Sequence, residues 1–155
     1  MSKPDPGETK ATPPQSVTPA VANAHAFVQR LIDLGLQHAV LSPGSRNAPI
    51  AITLAQAAEQ GMITLHVRID EREAAFFALG LSNASDIPAL LCCTSGTAAV
   101  NFAPAVVEAY YSQVPLIVLT ADRPESAAAR GASQSIEQVG LFAPHTVANL
   151  RIGTG

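Results

Sequence analysis

The chain has 155 residues, a formal net charge of −3, and 14% charged against 48% hydrophobic residues, a length that fits one domain with a core of its own. With no Lys/Arg cluster, two Tyr, five Phe and no Trp, it lacks both the electrostatic footprint and the stacking platforms of a nucleic-acid binder. No apolar run approaches the roughly 20 residues of a membrane span and no basic-then-apolar leader opens the chain, so a cytoplasmic compartment is expected; the lean charge predicts a surface partly covered by a partner.

Residues 1–17 carry Pro4, Pro6, Pro13 and Pro14 among polar residues, the composition of a disordered tail. Thr18 and Pro19 read as a hydroxyl cap and first-turn proline, and Ala24, Phe27, Val28, Leu31 and Ile32 form one apolar face ending at Gly35. A short strand over 38–42 stops at Pro43-Gly44, and a helix over about 48–59 follows. The pattern then repeats. A strand over 63–69 precedes a helix over 71–84, and a strand over 89–94 precedes a helix over 97–111, which Pro104 should kink or break. A strand over 116–120 leads into a looser segment; residues 125–135 are compatible with a loop or a weak helix, and 145–152 with a last strand. Strand–helix alternation with continuous apolar strands predicts a doubly wound α/β fold over 18–155, a mainly parallel sheet with helices on both faces.

Ligands of such sheets collect outside the carboxyl ends of the strands, and four strand ends here carry suggestive residues. Ser42-Pro43-Gly44-Ser45-Arg46 joins a glycine turn to a hydroxyl and a guanidinium, a set suited to a carboxylate or phosphate, or simply a turn with a Ser cap. In Asp70-Glu71-Arg72-Glu73, a capping box accounts for Asp70 and Glu73 and leaves Glu71 free to meet a ligand. Thr94-Ser95-Gly96-Thr97 would let a flat ligand approach the backbone, or is a tight capped turn. The fourth end, Thr120 to Pro124, offers Arg123, with Gln134 and Gln138 farther on; an Asp122–Arg123 structural network is the plainer reading.

Other chemistries are disfavoured. Neither Ser45 nor Ser95 has the flanking glycines of a nucleophile elbow. Cys92 and Cys93 are adjacent in a strand, point to opposite faces, and read as small buried hydrophobes. His25, His38, His66 and His145 show no metal-ligand spacing.

Taken together, Ser42-Pro-Gly-Ser-Arg46, Asp70-Glu-Arg72 with Ala-Ala-Phe-Phe-Ala-Leu-Gly80, Thr94-Ser-Gly-Thr97, Leu119-Thr-Ala-Asp-Arg-Pro124 and Gly131-Ala-Ser-Gln134 resemble one family over about residues 22–150. It is the thiamine-diphosphate-dependent SEPHCHC synthases of menaquinone biosynthesis, and the matching part is their N-terminal pyrimidine-binding domain. The resemblance implies that Glu71 is the activating glutamate that hydrogen-bonds N1′ of the aminopyrimidine. It further implies that Ser45, Arg46, Arg123 and Gln134 line the substrate side, the arginines facing the carboxylates of 2-oxoglutarate and isochorismate, and that Ser95 and Gly96 are cofactor neighbours.

The sequence departs from that family in stopping at Gly155, without the domain that holds Mg²⁺ and the diphosphate, and no Gly-Asp-Gly motif occurs. The resemblance therefore implies half a site, completed by the missing diphosphate-binding domain in a homo-oligomer, and no activity for the chain alone. Two rival readings stand: another thiamine-dependent 2-oxoacid enzyme of the acetolactate-synthase kind, and a non-catalytic Rossmann-like anion-binding module.

Overall fold

The computed structural model describes residues 18–123 and 132–152. The expected tail over 1–17, most of the stretch over 125–135, and the motif residues Pro124 and Gly131 lie outside the described residues. The elements run α1 (Pro19–Asp33), β1 (His38–Leu41), α2 (Ala48–Glu59), β2 (Thr64–Val67), α3 (Glu71–Ser85), β3 (Ala89–Cys93), α4 (Thr97–Val100), α5 (Ala103–Tyr111) and β4 (Leu116–Thr120).

All strand pairs are parallel and the sheet order is β2-β1-β3-β4, the doubly wound α/β arrangement that the alternation predicts. Successive strand residues point to opposite faces, and two cores result. Val40, Leu91 and Cys93 meet Ala74, Ala75 and Ala78 of α3, together with Phe102, Ala105 and Val106. Ala39 and Leu90 meet Val28 of α1 and Leu54 and Ala57 of α2. Every residue of β3 is buried, which is why its sequence is an unbroken apolar run. The three alanines give α3 a smooth face that lies close to the sheet.

Pro104 acts as its chemistry requires. The helix expected over 97–111 is divided at Asn101 and Phe102, and Pro104 falls in the first turn of α5, where its missing N–H costs nothing. Phe102 at the break is fully buried and anchors both pieces.

Three local expectations need correction. The Thr18 hydroxyl makes no capping bond; the Thr18 carbonyl instead accepts the Val21 and Ala22 N–H groups, both at 3.0 Å. The capping box at α3 is only half made, because Glu73 turns to Arg68 at 3.2 Å. No strand forms over 145–152: Val147, Leu150 and Ile152 are exposed, and their spacing gives no single apolar face to lay on a sheet.

Candidate functional site

The turn after β1 is held from beneath. Asn47, fully buried, accepts the Gly44 N–H on Oδ1 at 2.8 Å and donates from Nδ2 to the Ser42 carbonyl at 3.0 Å. The turn also abuts β3: a Cβ on Gly44 would lie 2.6 Å from Thr94 Cβ, so only glycine fits there. Ser45 and Arg46 stand exposed at the tip, without a hydrogen bond or ion pair to the described residues. That leaves a guanidinium and a hydroxyl free for an anion.

Beside it, the N-terminus of α3 is fixed by Asp70, whose Oδ1 accepts the Glu73 N–H at 2.8 Å. Arg68 hydrogen-bonds from its backbone N–H to Leu41 O at 3.0 Å, pairs with Glu73 and lies over the Phe77 ring at 4.1 Å. Glu71, first residue of α3 and half-buried, has neither a hydrogen bond nor an ion pair with the described residues. Its charge is felt at the end of β3: the Cys93 thiol is raised above its ordinary value first by burial, then by Cys92 and the Glu71 carboxylate. Capping and a free carboxylate therefore belong to different residues, Asp70 and Glu71.

The ends of β3 and β4 are strapped together by a segment from later in the chain. Gln138 accepts the Gly96 N–H at 2.5 Å and donates to Thr120 Oγ1 at 3.1 Å and Ala121 O at 2.9 Å. Gln134, at φ 53, donates from Nε2 to Ser95 O at 2.7 Å, and its carbonyl accepts the Thr97 N–H at 3.2 Å. Gly96, at φ 80, turns its open side toward the Gln134 carbonyl, where a side chain would collide. The absent side chain at residue 96 thus admits the Gln134 backbone. The amide oxygen of Gln134 stays without a partner among the described residues, as do the buried Ser95 Oγ and Arg123 Nε.

Turns after all four strands lie at one edge of the parallel sheet, so Ser45, Arg46, Glu71, Ser95, Gly96 and Arg123 share it, with Gln134 brought over it by the strap. The structure adds Asn47, which acts through backbone groups of the first turn, and gives Gln138, already marked with the fourth strand end, its partners at Gly96, Thr120 and Ala121. The sequence signal of Asn47 is an amide three residues after a glycine turn, whereas the partners of Gln138 follow from tertiary contact. One further contact crosses the strands. His66 Nε2 lies 3.4 Å from His38 Nδ1, although among the described residues no group of three or more potential metal ligands assembles. Cys92 and Cys93 are free and buried, and burial pushes the Cys92 thiol up to about 12, which keeps it inert.

Residues 22–141 match the family model of the thiamine pyrophosphate enzyme, N-terminal TPP binding domain. The chain is 51% identical over 137 residues to the 2-succinyl-5-enolpyruvyl-6-hydroxy-3-cyclohexene-1-carboxylate synthase of Mycobacteroides abscessus, a match covering 88% of this chain and 25% of that protein. It is 51% identical over 126 residues to the synthase of the same name from Saccharopolyspora erythraea, covering 81% and 23% respectively. The counterpart from Rhodococcus opacus is 48% identical over 137 residues, covering 88% and 25%. The chain thus spans about a quarter of the length of the curated relatives it matches.

Proposed function

The chain belongs to the thiamine pyrophosphate enzyme family of N-terminal cofactor-binding domains, and from that premise we propose that it is the pyrimidine-side part of a SEPHCHC synthase. The observation that carries this reading is Glu71: a carboxylate at the start of α3, spared from capping by Asp70 and without a partner among the described residues. That is the environment an acceptor for a ring N–H requires, so the residues fit an aminopyrimidine.

Thiamine diphosphate, when bound, supplies the electron sink for decarboxylating a 2-oxo acid and transferring the remaining unit. The chain's residues orient the partners of that chemistry. Glu71 accepts a hydrogen bond from the pyrimidine ring nitrogen and holds the proton there. Ser95 and Gly96 border the cofactor. Ser45, Arg46 and Arg123 bind the carboxylates of 2-oxoglutarate and isochorismate, with guanidinium forks matched to carboxylate oxygens, and Gln134 contributes its free amide oxygen. The chain spans about a quarter of its relatives' length, and in this reading Mg²⁺ and the diphosphate are held by another domain of the complete enzyme, across a subunit contact in a homo-oligomer. Among the described residues no helix is long and apolar enough to cross a membrane.

Product analysis tests the assignment. The protein carrying this chain, given 2-oxoglutarate and either isochorismate or pyruvate, should release a coupled product only with isochorismate. Coupling only to pyruvate would assign it to the acetolactate-synthase kind instead.

A further inference from the structure

We propose that Asn47 is a positioning residue for the anion-binding turn: by clamping Gly44 and Ser42 it sets where the Arg46 guanidinium and the Ser45 hydroxyl stand. The inference rests on the substrate-side reading of Arg46 given above.

Asn47 precedes α2, yet it does not cap that helix. Its backbone angles of φ −94 and ψ 11 are not those of an extended cap residue, and its side chain makes no capping bond. The amide faces backward into the turn. Oδ1 takes the Gly44 N–H at 2.8 Å, Nδ2 gives to the Ser42 carbonyl at 3.0 Å, and the same Nδ2 reaches Cys92 Sγ at 3.7 Å. The Asn47 carbonyl accepts the Ala51 N–H at 2.8 Å, so one residue ties turn, strand and helix. From the other side Gly44 is wedged against Thr94.

Ser45 and Arg46 have no side-chain restraint of their own among the described residues, so backbone geometry alone determines where their polar groups begin. A buried amide that fixes that backbone fixes the site's affinity for anions, because binding groups displaced by about 1 Å can cost up to about a hundredfold. The plainer alternative is that Asn47 merely satisfies buried backbone groups. That alternative predicts lost stability and unchanged substrate recognition.

The test uses the complete protein that carries this chain, with Arg46→Ala, Asn47→Ala, the double variant and Asn47→Asp, each measured per cofactor-loaded site. Asn47→Ala should raise KM for 2-oxoglutarate or isochorismate by about ten- to a hundredfold, with a much smaller change in kcat. Adding it to Arg46→Ala should bring only the smaller loss that belongs to the Ser45 hydroxyl, well short of the two single losses multiplied, since the guanidinium it positions is already gone. Losses that multiply in the double variant, or an unchanged KM with a lowered melting temperature, would overturn the inference while leaving Arg46 as a ligand. An Arg46→Ala variant with unchanged KM for both substrates would overturn both the inference and the reading beneath it. Should Asn47→Ala fail to fold, Asn47→Asp carries the test: it keeps volume and the Gly44 contact but sets a carboxylate oxygen against Ser42 O. Its KM should therefore recover toward the unmodified protein's as pH falls and the carboxyl regains a donor; a defect that ignores pH would count against the clamp.

Discussion

The backbone carbonyl of Gln134 occupies the space that a side chain at Gly96 would fill, so a turn at the end of β3 and a strap some forty residues later are built around one missing Cβ. Gly35 provides the comparison: it too has positive φ, +98, but opens on empty space. Gly35→Ala should cost about 1–2 kcal/mol, the penalty of a left-handed non-glycine residue. Gly96→Ala should cost about 1–3 kcal/mol more, because it adds an overpacked contact with backbone. Urea denaturation of both variants measures the difference, and equal costs would mean that the strap does not rest on Gly96 in solution.

The strap also marks the boundary of what could be read from sequence. Strand–turn–helix alternation, the buried β3 and the break at Pro104 are local or periodic features, visible in the order of apolar residues. The contacts of Gln134 and Gln138 with Ser95, Gly96 and Thr120 join residues 18 to 42 positions apart, and nothing local encodes them. The same holds for Glu73, whose spacing from Asp70 fits a capping box but whose carboxylate is taken by Arg68. An apolar content sufficient for a strand over 145–152 lacks the alternation that would give it one face. Glu71 was separable in the sequence because capping leaves it over; the clamp by Asn47 was not.

The buried thiols should make the protein sensitive to alkaline pH. The Cys92 thiol stands at about 12 against an ordinary 9.0, chiefly through burial, and Cys93 is raised by burial, Cys92 and Glu71. Above pH 9 the unfolded chain loses these protons while the folded chain keeps them, so stability falls as pH rises. The slope is about 1.4 kcal/mol per pH unit for each thiol, up to about pH 12 for Cys92. Denaturation between pH 8 and 10 should show a steeper decline in the parent than in a Cys92→Ala/Cys93→Ala variant. Parallel curves would mean that the thiols titrate in the folded state.

A second pH effect, of opposite sense, centres on His66. Burial, then His38 and Arg68, lowers its pKa below 6.5, while His38 Nδ1 lies 3.4 Å from its Nε2. Below pH 6.5 the unfolded state takes up a proton that the folded state resists, so this contribution to stability is present above 6.5 and lost as pH falls. Melting temperatures at pH 7.5 and 5.5 should diverge less for His66→Gln than for the parent. A His66 ring that titrates at or above 6.5 by NMR would remove the basis for the effect.

Adjacent carboxylates at the start of α3 should fail in different ways when changed. Asp70 accepts the Glu73 N–H at 2.8 Å, so Asp70→Ala should lower stability by about 0.5–2 kcal/mol, and Asp70→Asn, which still offers an oxygen, by far less. Glu71 spends no bond on the described residues, so Glu71→Gln should leave the unfolding free energy within about 0.5 kcal/mol of the parent's. In the complete enzyme, however, it should cut turnover by about a hundredfold or more, the scale of a lost acid–base group. Asp70→Asn in the same assay should retain most of its activity. The contrast rests on geometry: one carboxylate faces back to the helix backbone, and the other is left without a partner among the described residues beside the buried end of β3. Glu71→Gln with full turnover would reduce both residues to helix-end electrostatics, and Arg46 and Arg123 would then stand as an anion site without the carboxylate chemistry.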